Sequence, residues 1–294
     1  MKLIKSSYKI IPQEAGLEGI YKAIERAGRT CYKSSDKITE DSAKPFVDRM
    51  IKSGHHAMLE FGTVYLMAET KYFVGPDGHV IYVNPLEKYK NNPYSKVEID
   101  ADDNFYITTN YRVLVEYNRL NDLKYLCEPT EYHERRVTVH FVCDRGVSHE
   151  FVRHRVMSFA QESTRYCNYS KDKFGNELIF IIPCWFDSSL IDDTGHWDAN
   201  TFYRMPTQSV EEGAFLGTLL SAEKSYFNLL KCGWKPQEAR AVLPNSLKTE
   251  LVVTGFISDW QHFFGLRCDK AAHPQARELA IPLQEEFIKR GYIN

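Results

Sequence analysis

The stretch RVTVHFV, Arg136 to Val142, decides how the fold is read. Val137, Val139 and Phe141 alternate with Arg136, Thr138 and His140, the period of two that sets one face of a strand into a core. Working outward, Thr63 to Ala68 is a second strand-like run, while the segments around both carry apolar residues at helical spacing. Leu17, Ile20, Tyr21 and Ile24 predict a helix over Gln13 to Ala27. Phe46, Val47, Met50 and Ile51 predict another, capped by Thr39 and stopped by Gly54. Past the strand, Gly146 leads into a helical segment containing Arg153. Ser209 and Glu212 form a capping-box pattern ahead of Phe215, Leu219, Ala222, Tyr226 and Leu229, with Gly233 at the far end. Pro236 opens a short helix that stops before Pro244, Ser246 caps one running toward Phe264, and Pro274 to Arg290 is a last helix with Pro282 as its kink. A few strands among many helices predict an α+β fold, a small and mostly antiparallel sheet packed with several long helices.

From about Thr70 to Thr130 the character changes. Gly75-Pro76-Asp77-Gly78, Asn84-Pro85 and Asn91-Asn92-Pro93 are strong turn signals, and four acids fall between Glu98 and Asp103. This stretch reads as an insertion rather than core, within one domain spanning residues 1 to 294.

Composition narrows the function classes. With 294 residues and 43% hydrophobic content the chain is long enough to bury a full core. Lys and Arg number 37 against 39 Asp and Glu, a net charge of −2 that draws the chain to no polyanion, so neither a nucleic acid nor a membrane surface is an expected partner. No run of roughly 18 apolar residues spans a bilayer. Lys2, Lys5 and Lys9 interrupt any signal-like stretch, which points to the cytoplasm. The seven cysteines are odd in number, widely spaced and without a C-x-x-C pair, so they read as reduced thiols with no structural metal.

The densest cluster is RHRVMSFAQESTRY, Arg153 to Tyr166. Between Arg145 and Lys173 six basic residues face three acidic ones, a local +3 inside a chain of −2. Arginine forks match phosphate oxygens, and Ser158, Ser163 and Thr164 add short neutral donors. On a helix Arg153 and Arg155 address two ligands or two parts of one; on an extended segment they point the same way. The bland alternative is a solvated basic face whose ion pairs are worth about 0–1 kcal/mol each. Other motifs fail on spacing or chemistry. His149 and His154 are five apart, which rotates the second off a shared metal face, and no cation beside Cys184 in sequence activates its thiol. There is no G-x-G-x-x-G and no P-loop. Arg240 and Arg267 sit among apolar neighbours near helix ends and each needs an anionic partner, either a ligand or, as the structural alternative, Glu238 or Asp269.

Arg153-His154-Arg155, seven residues, then Ser163-Thr164-Arg165-Tyr166 resembles the signature of the flavin-dependent thymidylate synthases. Gly54-His55 with Glu60 upstream, and Glu238 to Pro244 and Gly265-Leu266-Arg267 downstream, extend the resemblance in the right order. It implies a homotetramer holding FAD at subunit interfaces, and reductive methylation of dUMP to dTMP with methylenetetrahydrofolate as carbon donor and NADPH as reductant. By position it assigns His55, Glu60, Arg153, His154, Arg155, Gln161 and His262 to the flavin or its folate partner. Glu150, Arg153, Gln161, Glu162, Ser163, Thr164, Arg165 and Arg240 go to dUMP. Arg267 becomes the activating residue, stabilising negative charge on the uracil ring. No protein nucleophile is then needed. The chain departs from the family pattern at Ala57-Met58, where a hydroxyl residue and proline are common, and at Phe61, where a second histidine is. Glu150 stands in a glutamine position and Gln161 in a frequent glutamate position. Two rivals stand beside this reading: a cysteine-dependent thymidylate synthase using Cys184, and a non-catalytic nucleotide or RNA-binding module on the Arg153 to Arg165 patch.

Overall fold

A computed structural model describes residues 1–77, 79–171, 175–186, 195–196 and 209–294. Its centre is a four-stranded antiparallel sheet of β2 (Ser7–Ile11), β8 (Arg136–Asp144), β11 (Lys248–Phe256) and β9 (Ser158–Gln161), in that spatial order. β1 (Lys2–Ile4) pairs in parallel with β10 (Ile179–Ile181). A three-stranded sheet has the order β3 (Thr63–Ala68), β7 (Phe105–Asn110), β6 (Lys96–Ile99), and β4 (Lys71–Val74) and β5 (Val80–Val83) form a hairpin of their own. The architecture is the expected α+β one, helices around small and mostly antiparallel sheets.

The alternation along β8 holds residue by residue. Val137, Val139, Phe141 and Cys143 are buried and the register sets Val139 opposite Val253 and Phe141 opposite Leu251. This face packs on Trp260, Phe263 and Phe264 of the helix Ile257–Arg267 and on Phe287 of the helix Pro274–Lys289. The Trp260 indole donates to the Val137 carbonyl at 3.0 Å, so its buried N–H is satisfied. On the opposite face Val252 and Ala160 meet Ala27 of the helix Gly16–Tyr32 and Phe61. Helices therefore cover the sheet on both sides, and the signature segment lies where β9 emerges between those layers.

Three expectations are corrected. Residues 248–256 are the strand β11 rather than the first part of a helix capped by Ser246, and the helix starts at Ile257. Thr249, Val252, Val253 and Thr254 are β-branched and β11 lies between β8 and β9, where such side chains pack best. The helix before the signature spans only Arg145–Phe151, started by the Asp144 carboxylate accepting from the Val147 N–H at 2.7 Å, so Arg153 lies beyond its end. The first helix runs Gly16–Tyr32, one turn past Ala27, and ends on Lys33 with φ 47°.

The stretch 70–130 divides in two. β4 and β5 are exposed throughout, whereas Phe105, Ile107, Tyr111, Val113 and Leu114 are buried against Ile20, Ile24 and Phe46. Its second half is core, because β7 needs an apolar cover that the first two helices supply. The Ser209–Glu212 capping box is present, opening the helix Val210–Lys231, and Gly54 and Gly233 adopt the left-handed φ expected of helix stops. Asp172 and Lys173 of the basic cluster, Gly78 of the first turn signal, and most of the loop-like segment after Pro183 lie outside the described residues.

Candidate active site

The site is built on the chain reversal after Phe151, whose ring is wedged against Phe141 and Phe263 at centroid distances of 5.0 Å. Beyond it the backbone turns, His154 N–H donating to Phe151 O at 3.2 Å and Met157 N–H to His154 O at 3.0 Å. The turn sends His154 inward and leaves Arg153 and Arg155 exposed. Neither the helical nor the extended alternative applies to the two arginines. Among the described residues neither Arg153 nor Arg155 has a carboxylate partner.

His154 packs on Phe263 at 4.9 Å and faces His262 at 5.8 Å between ring centroids. Burial, and then the charges of Arg267 and His262, push its pKa down to about 4, so the ring is neutral at neutral pH. A neutral ring has a lone pair to offer, and Nε2 accepts from Arg267 Nε at 3.0 Å. Arg267, the last residue of its helix, also donates through Nη1 to the Glu150 carboxylate at 2.9 Å and through Nη2 to the Glu150 carbonyl at 2.7 Å. Three of its five N–H groups are thus engaged, and two have no partner among the described residues. The acid that pairs with Arg267 is Glu150, not Asp269. For Arg240 the partner is the Thr164 hydroxyl at 3.1 Å, not Glu238.

Gln161 and Glu162 go to different surroundings. Gln161 donates to the Ser148 hydroxyl at 2.8 Å, two residues before Glu150. Glu162 is 2% exposed; one oxygen accepts from Tyr169 at 3.0 Å and the other from Lys248 at 2.8 Å. Lys248 also bonds Glu250, which accepts from His140 at 3.2 Å, and Lys33 approaches both acids. Although burial works to raise the Glu250 pKa, hydrogen bonding from His140 and the charges of Lys248 and Lys33 hold it far below the usual range. The Ser163 N–H is tied to Cys31 O at 3.0 Å, and Arg165 stays exposed.

Glu60 and Arg155 line one cavity and His55 another, and the two share Arg112, a residue that the sequence reading passed over. Arg112 donates to Glu60 at 2.6 Å and to Glu116 at 2.9 Å, and His56 holds Glu116 at 3.0 Å. A cavity of about 470 Å³ lined by Glu60, Lys96, Arg136 and Arg155 lies on one side of Arg112 and Glu116, and one of about 480 Å³ lined by His55, His56 and Tyr32 on the other. Arg112 went unnoticed because it lies in the stretch set aside as an insertion, and its only local signal is a glutamate four residues on. Lys33, Lys248 and Glu250 were missed because their partners come from three separate segments.

Cys184 lies apart from these groups. Its thiol is raised, first by burial and then by the Glu278 carboxylate, which opposes a thiolate.

Fold and site together define an α+β protein with exposed arginines at positions 153, 155, 165 and 240 around a half-buried Arg267. The sequence profile of the family described as thymidylate synthase complementing protein matches residues 129–290. The chain belongs to that family. It is 31% identical over 148 residues to the flavin-dependent thymidylate synthase of Pyrococcus abyssi, covering 50% of this chain and 52% of that one. The protein of the same name from Corynebacterium aurimucosum is 33% identical over 143 residues, 47% of this chain and 51% of its own. The chain thus spans about half the length of these relatives. A crystal structure of a UMP/dUMP methylase, PolB from Streptomyces cacaoi bound with 5-Br dUMP, covers 98% of this chain and 93% of its own at 17% identity and a TM-score of 0.42, a likeness that carries no argument.

Proposed function

We propose that this protein methylates dUMP reductively to dTMP, taking the carbon from methylenetetrahydrofolate and the reducing equivalents from NADPH through FAD. The observation that carries the reading is Arg267. Its guanidinium is fixed by a neutral His154 and by Glu150, with two N–H groups unpartnered among the described residues. A fixed cation with spare donors favours negative charge on a uracil ring, which is what electron demand at C5 requires. Arg165 and Arg240, exposed and without carboxylate partners among the described residues, suit the nucleotide phosphate, with Ser163 and Thr164 as neutral donors. Glu162, enclosed by Lys248 and Tyr169, serves by holding that segment in place rather than by touching dUMP.

The residues fit a flavin. Arg153 and Arg155 are exposed and have no carboxylate partner among the described residues, which suits a pyrophosphate, and the cavity beside Arg155 offers Phe256 and Met157 to a planar ring. His55, Glu60, Gln161 and His262 complete the cofactor side of this assignment. When bound, the flavin supplies the hydride that methylation without a thiol needs. The raised thiol of Cys184 agrees with chemistry of that kind. The same reading makes the protein a cytoplasmic homotetramer, one domain with an addition at about residues 70–130.

The test is the visible spectrum of the purified protein, followed by titration with FAD. Flavin bands or saturable binding near one FAD per chain support the reading, and a colourless protein that binds none sinks it.

A further inference from the structure

Building on the flavin reading of the site, we infer that Arg136 is the cation that holds the reduced ring of the bound cofactor in its anionic form. Arg136 opens β8, and its side chain forms part of the wall of the cavity that Phe256 and Met157 offer to a planar ring. Its Nη1 donates to the Glu60 carbonyl at 2.9 Å and to the Thr63 hydroxyl at 3.3 Å, both neutral acceptors. The guanidinium carbon lies 5.5 Å from the centre of the Phe256 ring. Among the described residues no carboxylate comes within ion-pair distance of it, and its buried Nε–H has no partner. Burial lowers its pKa, with Tyr65, Glu60 and Asp259 opposing only in part. A cation in such a place is costly until an anion meets it.

The other cations of the cavity are compensated or wet. Arg112 is bridged to Glu60 and Glu116, Lys96 lies 3.7 Å from Glu134, and Arg155 is exposed. Asp259, the remaining acid of the wall, accepts the Phe256 N–H at 3.0 Å. Arg136 is therefore the position where an added negative charge gains most, because a cation acts most strongly where water screens it least. Two electrons and one proton turn the neutral oxidised flavin ring into an anion, whereas two electrons and two protons leave it neutral. A fixed charge beside the ring selects the first outcome and so favours the reduced cofactor over the oxidised one. The orphaned guanidinium and the planar, partly aromatic wall thus belong to one device, in which the ligand's own negative charge serves as the counter-ion.

The midpoint potential of the FAD-loaded full chain, measured by dye-linked reduction, tests this without turnover. In Arg136→Met the preference for the reduced cofactor is expected to fall at least about tenfold, a drop of about 30 mV for a two-electron couple, while the affinity for oxidised FAD stays within about threefold. Arg136→Lys keeps the charge and is expected to restore most of the potential. A second measurement needs no variant and so holds even if Arg136→Met does not fold. The wild-type potential is expected to change by about 30 mV per pH unit between about pH 5 and about pH 6, the slope of one proton taken up with two electrons. An unchanged potential in Arg136→Met, equal losses in the Met and Lys variants, or a two-proton slope of about 59 mV per pH unit in the wild type overturns the inference and leaves the flavin reading standing. A wild type that binds no FAD sinks the flavin reading, and the inference with it.

Discussion

Replacing Glu150 by glutamine isolates what Arg267 does. The carboxylate lies 2.9 Å from Nη1, with the two side chains 16% and 34% exposed. A charge pair at about 4 Å in an effective dielectric of about 20 is worth about 4 kcal/mol before screening, and partial exposure reduces that to about 1 kcal/mol. Glutamine keeps an acceptor for Nη1, while the Glu150 carbonyl and His154 Nε2 continue to hold Nη2 and Nε. The guanidinium therefore stays in place with its charge less compensated. Glu150→Gln is expected to bind dUMP about fivefold more tightly, the equivalent of about 1 kcal/mol. Isothermal titration of dUMP into FAD-loaded protein reads this directly, and the gain should shrink as salt is raised. The melting temperature should fall by no more than about 2–4 °C, as loss of about 1 kcal/mol implies for a domain of this size. Unchanged or weaker dUMP binding in a variant that melts normally would mean that Arg267 does not face the nucleotide.

Other outcomes follow from the same geometry. His154 titrates at about 4 when folded against an ordinary 6.5, so the unfolded chain takes up its proton first. Stability is complete above the ordinary value and declines as pH falls toward 4, by about 1.4 kcal/mol per unit and on the order of 3 kcal/mol in all. Urea denaturation between about pH 7 and about pH 5 should show that slope in the wild type and a flatter one in His154→Gln, and equal slopes would refute the assignment. Lys248→Met leaves Glu162 buried without its closest cation and should cost about 3–5 kcal/mol by denaturant titration, and a loss under about 1 kcal/mol would show that the pair is not desolvated. Cys184→Ala should form dTMP at the wild-type rate; a dead variant would restore the thiol mechanism.

The sequence was most legible where one local rule sufficed. Alternation marked β8, and Ser209–Glu212 and Gly233 marked the ends of a long helix. β11 was not legible, because it is buried on both faces and its sequence, Lys248-Thr249-Glu250 followed by Leu251 to Val253 and Thr254, shows no period of two. Arg153, Arg155 and Arg165 announced themselves by local charge excess, and Arg240 and Arg267 by apolar neighbours near helix ends. Their partners did not, since Glu150 and Arg267 are 117 positions apart and only the packing of two helices on the sheet brings them together. The fate of Glu162 was hidden for the same reason. Beside Arg165 in sequence it reads as a ligand contact, yet Lys248, 86 residues away, takes it into the interior.

In the proposed reaction a fixed guanidinium at position 267, with bound flavin and no thiol, drives methylation. The most direct measurement is dTMP formation from dUMP, methylenetetrahydrofolate and NADPH by the FAD-loaded wild type and by Arg267→Ala. Turnover is expected in the wild type, and in the variant a loss of most dTMP formation with part of the dUMP binding retained. Full activity in Arg267→Ala, or none in a flavin-loaded wild type, would contradict it.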